Sequence, residues 1–243
     1  MDPRVGLCGF TIGAAAYIRE FPVVEVQQTF YEPPQDVTMR RWRALAPTRF
    51  EFTIKAWQLV THDARSPTYR RLRRTLTPEE SRECGSFRDS EIVHEAWRRT
   101  LECAQLLSAT AVLLQCPRSF KPTEVNLARL RSFAARVPRE GLRLLWEPRG
   151  EWPTSLLTDL CSELDLVHVV DPFVTTTVTP EQTYFRLHGT TGSRHVYSDD
   201  ELVELVGLLP SETTVPPYVM FNNLPRVGDA RRFAALLAAR RPR

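Results

Sequence analysis

Eight short apolar runs, distributed along the whole chain and separated by segments of helical periodicity, constrain the fold more than any other feature of this sequence. No internal repeat or low-complexity linker interrupts them, so residues 1–243 are expected to form a single domain. The alternation of strand and helix predicts a parallel sheet with helices packed against it. Eight such units match a closed (β/α)8 TIM barrel, which we predict, and an open, doubly wound sheet is the alternative.

The predicted elements follow this apolar pattern. The predicted strands are Val5–Cys8, Val23–Thr29, Phe50–Lys55, Ala111–Cys116, Leu142–Glu147, Val167–Asp171, Tyr184–His188 and Tyr218–Asn222. The predicted helices lie near Val37–Ala46, Glu91–Ser108, Thr123–Arg136, Pro153–Leu164, Asp199–Leu208 and Asp229–Arg240, with starts indicated at Thr123 and at Ser198 or Asp199. Residues 172–183 are too short and too rich in Thr and Pro for a full helix. Residues 57–90 form a long, arginine-rich insertion, which commonly covers or lines a functional site.

Three of the predicted strands separate apolar from polar side chains by parity, because successive side chains of a strand point to opposite faces. One face carries Val24, Val26, Phe50, Phe52, Ile54, Phe185 and Leu187, and the other carries Glu25, Gln27, Thr29, Glu51, Thr53, Lys55, Tyr184, Arg186 and His188. Buried charges need partners, so the polar face is expected to form a connected network inside the barrel. We expect this network to open at the carboxyl ends of the strands.

Polar side chains also recur where the predicted strands end, at Lys55, Gln115, Glu147, Asp171, His188 and Asn222. The carboxyl ends of the strands form the rim on which TIM-barrel active sites are assembled. Glu147 and Arg149 share a parity there, so an ion pair between them would lie at the mouth and would be able to meet a ligand. A network of salt bridges with a purely structural role is the alternative.

Six motifs, in this order, resemble the YecE-like proteins, known as domain of unknown function 72: VEVQQTFYEPP, RFEFTIKAWQLVTH, VLLQCPRSF, WEPRGEW, YFRLHG and YVMFNN. The resemblance runs from about Val5 to Ala235 and implies a TIM-barrel-like fold with a polar cleft. It departs from the family pattern at Gln27, where Asn is more usual. The polar positions that it implies are Glu25, Thr29, Tyr31, Lys55, His62, Gln115, Glu147, Arg149, Arg186, His188, Asn222 and Asn223. The family has no established activity, so the resemblance identifies neither a reaction nor a cofactor.

Composition limits the class of protein. The formal net charge of +3 is too small to indicate a nucleic-acid-binding protein by itself, and no apolar run approaches the roughly 20 residues that cross a bilayer. We therefore expect a cytoplasmic protein without membrane contacts.

The five cysteines include no C-x-x-C pair, which favours buried, reduced thiols. Only two of the 32 basic residues are lysines, Lys55 and Lys121, so a lysine in this chain marks a position that needs a compact ammonium.

The first functional hypothesis is an enzyme acting on a small anionic ligand, a phosphate or a carboxylate. Arg149 and Arg186 are suited to oxyanions, and Lys55 would serve as a point charge, a nucleophile or a base. Glu147 or His188 would transfer protons. The hypothesis predicts that Lys55→Ala and Arg186→Ala keep the fold and lose anion binding. A strand-end lysine is more often part of an ion pair, and His188 is also compatible with a structural role.

Two alternatives remain from the sequence. The first is a metal-dependent phosphodiester hydrolase similar to endonuclease IV-type barrels, with Glu25, Glu147, Asp171 and His188 as ligands and the arginines of residues 65–74 on a nucleic-acid backbone. The few histidines and the nearby Lys55 and Arg186 count against this, so we predict no metal-binding residues. The second is a non-catalytic protein that binds a metabolite or RNA. The sequence lacks a P-loop, a G-x-G-x-x-G, an H-E-x-x-H and a G-x-S-x-G motif.

Overall fold

A closed barrel of eight parallel strands is the framework of the protein in a computed structural model that describes residues 2–240. The strands are β1 (Arg4–Cys8), β2 (Val23–Val26), β3 (Glu51–Lys55), β4 (Ala111–Gln115), β5 (Arg143–Glu147), β6 (Leu166–Val170), β7 (Tyr184–Leu187) and β8 (Tyr218–Phe221). They lie in sequence order, and the first pairs with the last, from Arg4 opposite Tyr218 to Leu7 opposite Phe221. This closure confirms the predicted barrel, and the open-sheet alternative is wrong.

Helices follow the strands on the outside of the barrel. They are α1 (Ala14–Glu20), α2 (Gln28–Tyr31), α3 (Asp36–Leu45), α4 (Gln58–Thr61), α5 (Pro78–Glu83), α6 (Glu91–Leu107), α7 (Glu124–Arg136), α8 (Thr154–Leu164), α9 (Asp199–Gly207) and α10 (Arg226–Ala239). Both predicted helix starts are confirmed. The Thr123 hydroxyl accepts from Asn126 N at 3.3 Å, and Ser198 and Glu201 form a capping box. No helix between residues 2 and 240 has both the length and the apolar content needed to cross a bilayer.

The main hydrophobic core lies between the barrel and the helices, where the outward strand side chains meet the apolar helix faces. In β3, Phe52 and Ile54 are fully buried in this layer, as their parity predicts. The same alternation directs Thr53 and Lys55 inward.

The interior of the barrel is layered, which differs from the expected polar filling. Its middle level is apolar and contains Val23, Ala111, Leu113, Leu145, Val167, Val169 and Met220. At the amino ends of the strands, the Arg4 guanidinium pairs with Glu51 at 2.9 Å and Arg143 donates to the Tyr218 hydroxyl at 2.8 Å. The polar network expected at the carboxyl ends is present, but the expectation for the rest of the interior is wrong, since β4, β5, β6 and β8 contribute Leu, Val and Met.

The predicted end of one strand is corrected. β2 ends at Val26, and residues 28–31 form the short α2, so the predicted strand to Thr29 is three residues too long. Thr29 Oγ1 donates to Lys55 O at 2.7 Å, which holds this turn against the end of β3. The insertion at residues 57–90 contains α4, a 3-10 turn at Pro67–Arg71 and α5. Residues 172–183 contain only a 3-10 turn at Pro180–Gln182, as expected from their composition.

Candidate anion-binding active site

Arg186, on β7, is the centre of the polar network inside the barrel. Its Nε and Nη2 donate to the two carboxylate oxygens of Glu25, at 3.1 and 2.9 Å, and its Nη1 contacts Glu147. Glu25 also accepts from the Tyr184 hydroxyl at 2.9 Å and from the Gln27 amide. Arg186 and Glu25 are both almost completely buried, so each charge depends on the other for stabilisation.

Glu147, at the end of β5, is surrounded by cationic and amide groups. Beside the contact with Arg186, it accepts from Arg149 Nε at 3.1 Å and from the Gln115 amide at 3.3 Å. Burial alone would raise the pKa of this carboxyl, but the charges of Arg186, Arg149, His188 and Lys55 outweigh burial and lower it to about 2. Glu147 is therefore a carboxylate throughout the physiological pH range.

Lys55, at the end of β3, is a buried amine without a carboxylate partner. Its Nζ lies 2.5 Å from Gln115 Oε1 and 4.0 Å from the centre of the Phe30 ring, and no carboxylate of residues 2–240 lies at ion-pair distance. Burial, with Arg186 next in importance, lowers its pKa to about 7 against the opposing effect of the carboxylates. Lys55 therefore has a far larger neutral fraction near pH 7 than an ordinary lysine.

His188 follows β7 and connects Arg149 to Asp171. Arg149 Nη2 donates to His188 Nε2 at 3.0 Å, so the ring proton is on Nδ1, which lies 3.6 Å from Asp171 Oδ2. Asp171 also accepts the backbone N–H of His188 at 2.8 Å and thereby fixes the position of this residue. The arrangement leaves His188 Nε2 with its lone pair on Arg149 rather than on a ligand.

Two of the cavities at this end of the barrel hold the predicted site residues. They meet at Arg118 and Arg149, which line both and also a smaller cavity beside Lys121. The lysine cavity, of about 420 Å³, is lined by Gln27, Phe30, Tyr31, Lys55, His62, Ser66, Thr68, Gln115, Cys116, Pro117, Arg118, Arg149, Arg186 and Asn222. The histidine cavity, of about 410 Å³, is lined by Arg118, Glu147, Pro148, Arg149, Gly150, Trp152, Leu157, His168, Val169, Val170, Asp171, Val174, Thr175, His188 and Gly189. The insertion at residues 57–90 supplies His62, Ser66 and Thr68 and so lines the first cavity, as expected.

The family profile described as "Protein of unknown function DUF72" matches residues 14–242. The chain belongs to the DUF72 family. A DUF72 family protein from Enterococcus faecalis is similar, with a TM-score of 0.71, 22% identity and 98% coverage of each chain. Another, from Thermotoga maritima, has a TM-score of 0.68 and 21% identity, and the match covers 98% of this chain and 100% of that one.

A more distant solved structure, an AP endonuclease, family 2, from Brucella melitensis, shares the barrel with a TM-score of 0.58. Its identity is 12%, over 99% of this chain and 98% of that one. At these identities the DUF72 relatives and the endonuclease show the fold alone. A comparison with curated proteins found no match.

Most of the side chains that the sequence and the DUF72 resemblance suggest for the site do meet at the mouth of the barrel. Lys55, His62, Gln115, Arg149, Arg186, Asn222 and Tyr31 line the lysine cavity, and Glu147, Arg149, Asp171 and His188 line the histidine cavity. Glu25 lies behind Arg186, out of contact with solvent. Thr29 and Asn223 lie outside both cavities. The Thr29 hydroxyl donates to the backbone at the end of β3, and the Asn223 amide donates to Asp229 at 2.5 Å.

Several side chains of the mouth were not predicted from the sequence, among them Arg118, His168 and Trp152. Arg118 is exposed and forms no ion pair within residues 2–240, although it lies three residues after Gln115 in the motif VLLQCPRSF. His168 is buried in β6, and burial lowers its pKa to about 4. Trp152 lines the histidine cavity. The sequence did not indicate His168, because all the other residues of β6 are apolar and show no alternation of polar and apolar side chains.

The geometry gives no support to a metal centre formed by the four candidate ligands of the hydrolase hypothesis. No group of three His, Cys, Asp or Glu side chains within residues 2–240 is arranged to hold a metal ion. The Arg186 guanidinium contacts both Glu25 and Glu147, at the position where a cation between them would lie. The same hypothesis placed the arginines of residues 65–74 on a nucleic-acid backbone. One of them, Arg74, is already paired with Glu80 and with Glu95.

Proposed function

We propose that the mouth of the barrel is the active site of an enzyme that acts on a small anionic molecule bearing a phosphate or carboxylate. A single observation carries this proposal. Four basic side chains, Lys55, Arg118, Arg149 and Arg186, line the lysine cavity, and no Asp or Glu of the described residues lines it. The two nearby carboxylates are bound to Arg186, so an anion entering the cavity meets an excess of positive charge.

The basic residues have different parts in this proposal. Arg186 is saturated by carboxylates, so it holds the network together, and Arg118 and Arg149 are the guanidiniums that remain able to bind an oxyanion. The Arg149 side chain is 41% exposed. It is able to leave Glu147 for a ligand, because Arg186 also neutralises that carboxylate. An anion that draws Arg149 away from His188 releases the Nε2 lone pair as a base next to the ligand.

The reactive groups of the site are therefore assigned to Lys55 and His188. Glu147 has a pKa of about 2 and is an ionised acceptor, which suits it to orient Arg149 rather than to donate a proton. His62 lines the same cavity and is neutral at pH 7, since burial, with Lys55 and Arg149 next, lowers its pKa to about 4.

Calorimetric titration with inorganic phosphate, and then with phosphorylated sugars, dicarboxylates and a short oligonucleotide, tests the proposal. The wild type is compared with Arg118→Met, Arg149→Met and, as a matched control, Arg19→Met, an exposed arginine in the last turn of α1. We expect each cleft variant to weaken phosphate binding about 10-fold or more, which is the loss of one charge-assisted hydrogen bond. The control is expected to bind like the wild type.

Equal phosphate affinity in all four proteins would refute the proposed site. Preference for the oligonucleotide over every small anion would instead favour the nucleic-acid alternative. Screening the tightest small ligands for turnover, with His188→Asn as the inactive comparison, separates an enzyme from a binding protein.

A further inference from the structure

Lys55 is chemically different from the other basic groups of the cleft. It is the only primary amine among the four, in a chain that uses arginine at 30 of its 32 basic positions. A guanidinium stays protonated in proteins, whereas an amine releases its proton when it is buried without a counter-charge. A position that only had to attract an anion would be served by arginine, as it is at Arg118 and Arg149.

Burial and the guanidiniums of Arg186 and Arg149 favour a neutral Lys55 amine, and they outweigh Glu25, Glu147 and the contacts of Nζ, which favour the ammonium. The contacts of Nζ are an uncharged amide oxygen, at 2.5 Å, and the face of Phe30. The charged groups that face it are Arg186 on β7, Arg149 after β5, Glu25 on β2 and Glu147 on β5, and His62 of the insertion is neutral. Both carboxylates are already bound to guanidiniums, so their effect on Lys55 is partly cancelled.

We propose that Lys55 is a nucleophile that forms a Schiff base with an aldehyde or ketone bearing a carboxylate or phosphate. This inference rests on the proposed function and deepens it, because it names the substrate class. The Nζ lone pair attacks the carbonyl carbon and forms a C–N bond, giving a carbinolamine. The carbinolamine then takes a proton from solvent and loses its hydroxyl as water, leaving a protonated imine.

The geometry places the two parts of such a substrate. The amine lies at the inner end of a cavity of about 420 Å³, and Arg118 and Arg149 line the same cavity. A substrate whose anionic group binds these arginines has its carbonyl in the same cavity as Lys55. At pH 7 an ordinary lysine, with a pKa near 10.4, is unprotonated in only about one molecule in 2,500. The neutral, nucleophilic form of Lys55 is therefore much more abundant than that of an ordinary lysine.

The two lysines of the chain make the test direct. The folded protein is incubated at pH 7 with glyoxylate and cyanoborohydride, which reduces the imine to carboxymethyl-lysine, and the sites are mapped by peptide mass spectrometry. We expect Lys55 to be modified at least about 10-fold faster than Lys121, the internal reference. Lys121 is exposed and lines a neighbouring cavity with the same Arg118 and Arg149, so the comparison isolates the state of the amine. The rate at Lys55 should saturate with glyoxylate, fall with added phosphate, and exceed the rate with neutral acetaldehyde.

Unfolding the protein in urea before the reaction provides the control, since the rates at Lys55 and Lys121 should then become similar. Modification of Lys55 no faster than Lys121 in the folded protein, with phosphate binding intact, would refute the Schiff base and leave the anion site standing. Loss of both results would refute the proposed function as well. Because the wild type carries the comparison, no variant has to fold.

Discussion

Arg186 and Glu25 form a two-pronged ion pair, with nitrogen–oxygen distances of 2.9 and 3.1 Å, between strands that lie apart in the barrel. Both side chains are at most 1% exposed, and the third nitrogen of Arg186 contacts Glu147. One guanidinium thus ties β7 to β2 and to β5. The ligand-facing groups Arg149 and Lys55 rest on this fixed network.

Removing one partner of this pair is expected to destabilise the fold. Glu25→Gln leaves Arg186 buried with less counter-charge, and breaking such a pair costs about 3–5 kcal/mol of unfolding free energy. Arg186→Ala should cost at least as much, contrary to the expectation from the sequence that it keeps the fold. Urea unfolding measures both, with Glu20→Gln of the exposed Glu20–Arg231 pair as the control, for which we expect less than about 1 kcal/mol. A similar small loss at both sites would contradict the buried-network interpretation.

Lys55 is expected to make stability depend on pH in an unusual direction. Its folded pKa of about 7 is below the ordinary value near 10.4, so the unfolded chain binds more protons between these limits and stability rises with pH there. The difference in unfolding free energy between wild type and Lys55→Met should change by at most about 1.4 kcal/mol per pH unit. Urea unfolding at pH 7, 8 and 9 measures it. Lys121→Met is the matched lysine control measured alongside, and a flat difference for Lys55→Met would contradict the buried neutral amine.

Glu147 is expected to contribute to acid unfolding. Its folded pKa of about 2 is below the ordinary value near 4.3, so its stabilisation is complete above pH 4.3 and is lost as pH falls toward 2. The wild type should therefore lose about 3 kcal/mol more than Glu147→Gln across this interval, since one pKa unit corresponds to about 1.4 kcal/mol. Acid titration followed by circular dichroism and urea unfolding provides the values. Parallel curves for the two proteins would show that Glu147 is not held as a carboxylate.

Arg149 is expected to shield His188 until a ligand binds. Its Nη2 lies 3.0 Å from His188 Nε2, so Arg149→Met should expose the lone pair and increase the rate of diethyl pyrocarbonate modification at His188 severalfold. His94, which is bonded to Asp89 on the outer surface, is the reference in the same sample. Phosphate should speed the reaction at His188 in the wild type by drawing Arg149 away. An unchanged rate in the variant would rule out shielding by Arg149.

The sequence predicted the barrel and the main groups of the site because both depend on local periodicity. Strand parity placed Lys55, Glu147 and Arg186 on the inner face, and the closed topology brought their strand ends together. Parity failed at Thr29, where the chain turns into α2 and the hydroxyl binds the backbone of Lys55. Parity did indicate the ion pair of Glu147 with Arg149, which the structure contains. It gave no account of Arg118, which lies on a loop, or of the pairing of Arg186 with Glu25 and Glu147, since both depend on the tertiary arrangement.

The most direct test of an anion site at the mouth of the barrel is a crystal structure with selenate, whose anomalous scattering locates the anion without regard to its surroundings. We predict a selenate in the lysine cavity, in contact with Arg118 or Arg149 and next to Lys55 Nζ. Selenate found only on the outer arginines, such as Arg70, with the cavity filled by water, would contradict it.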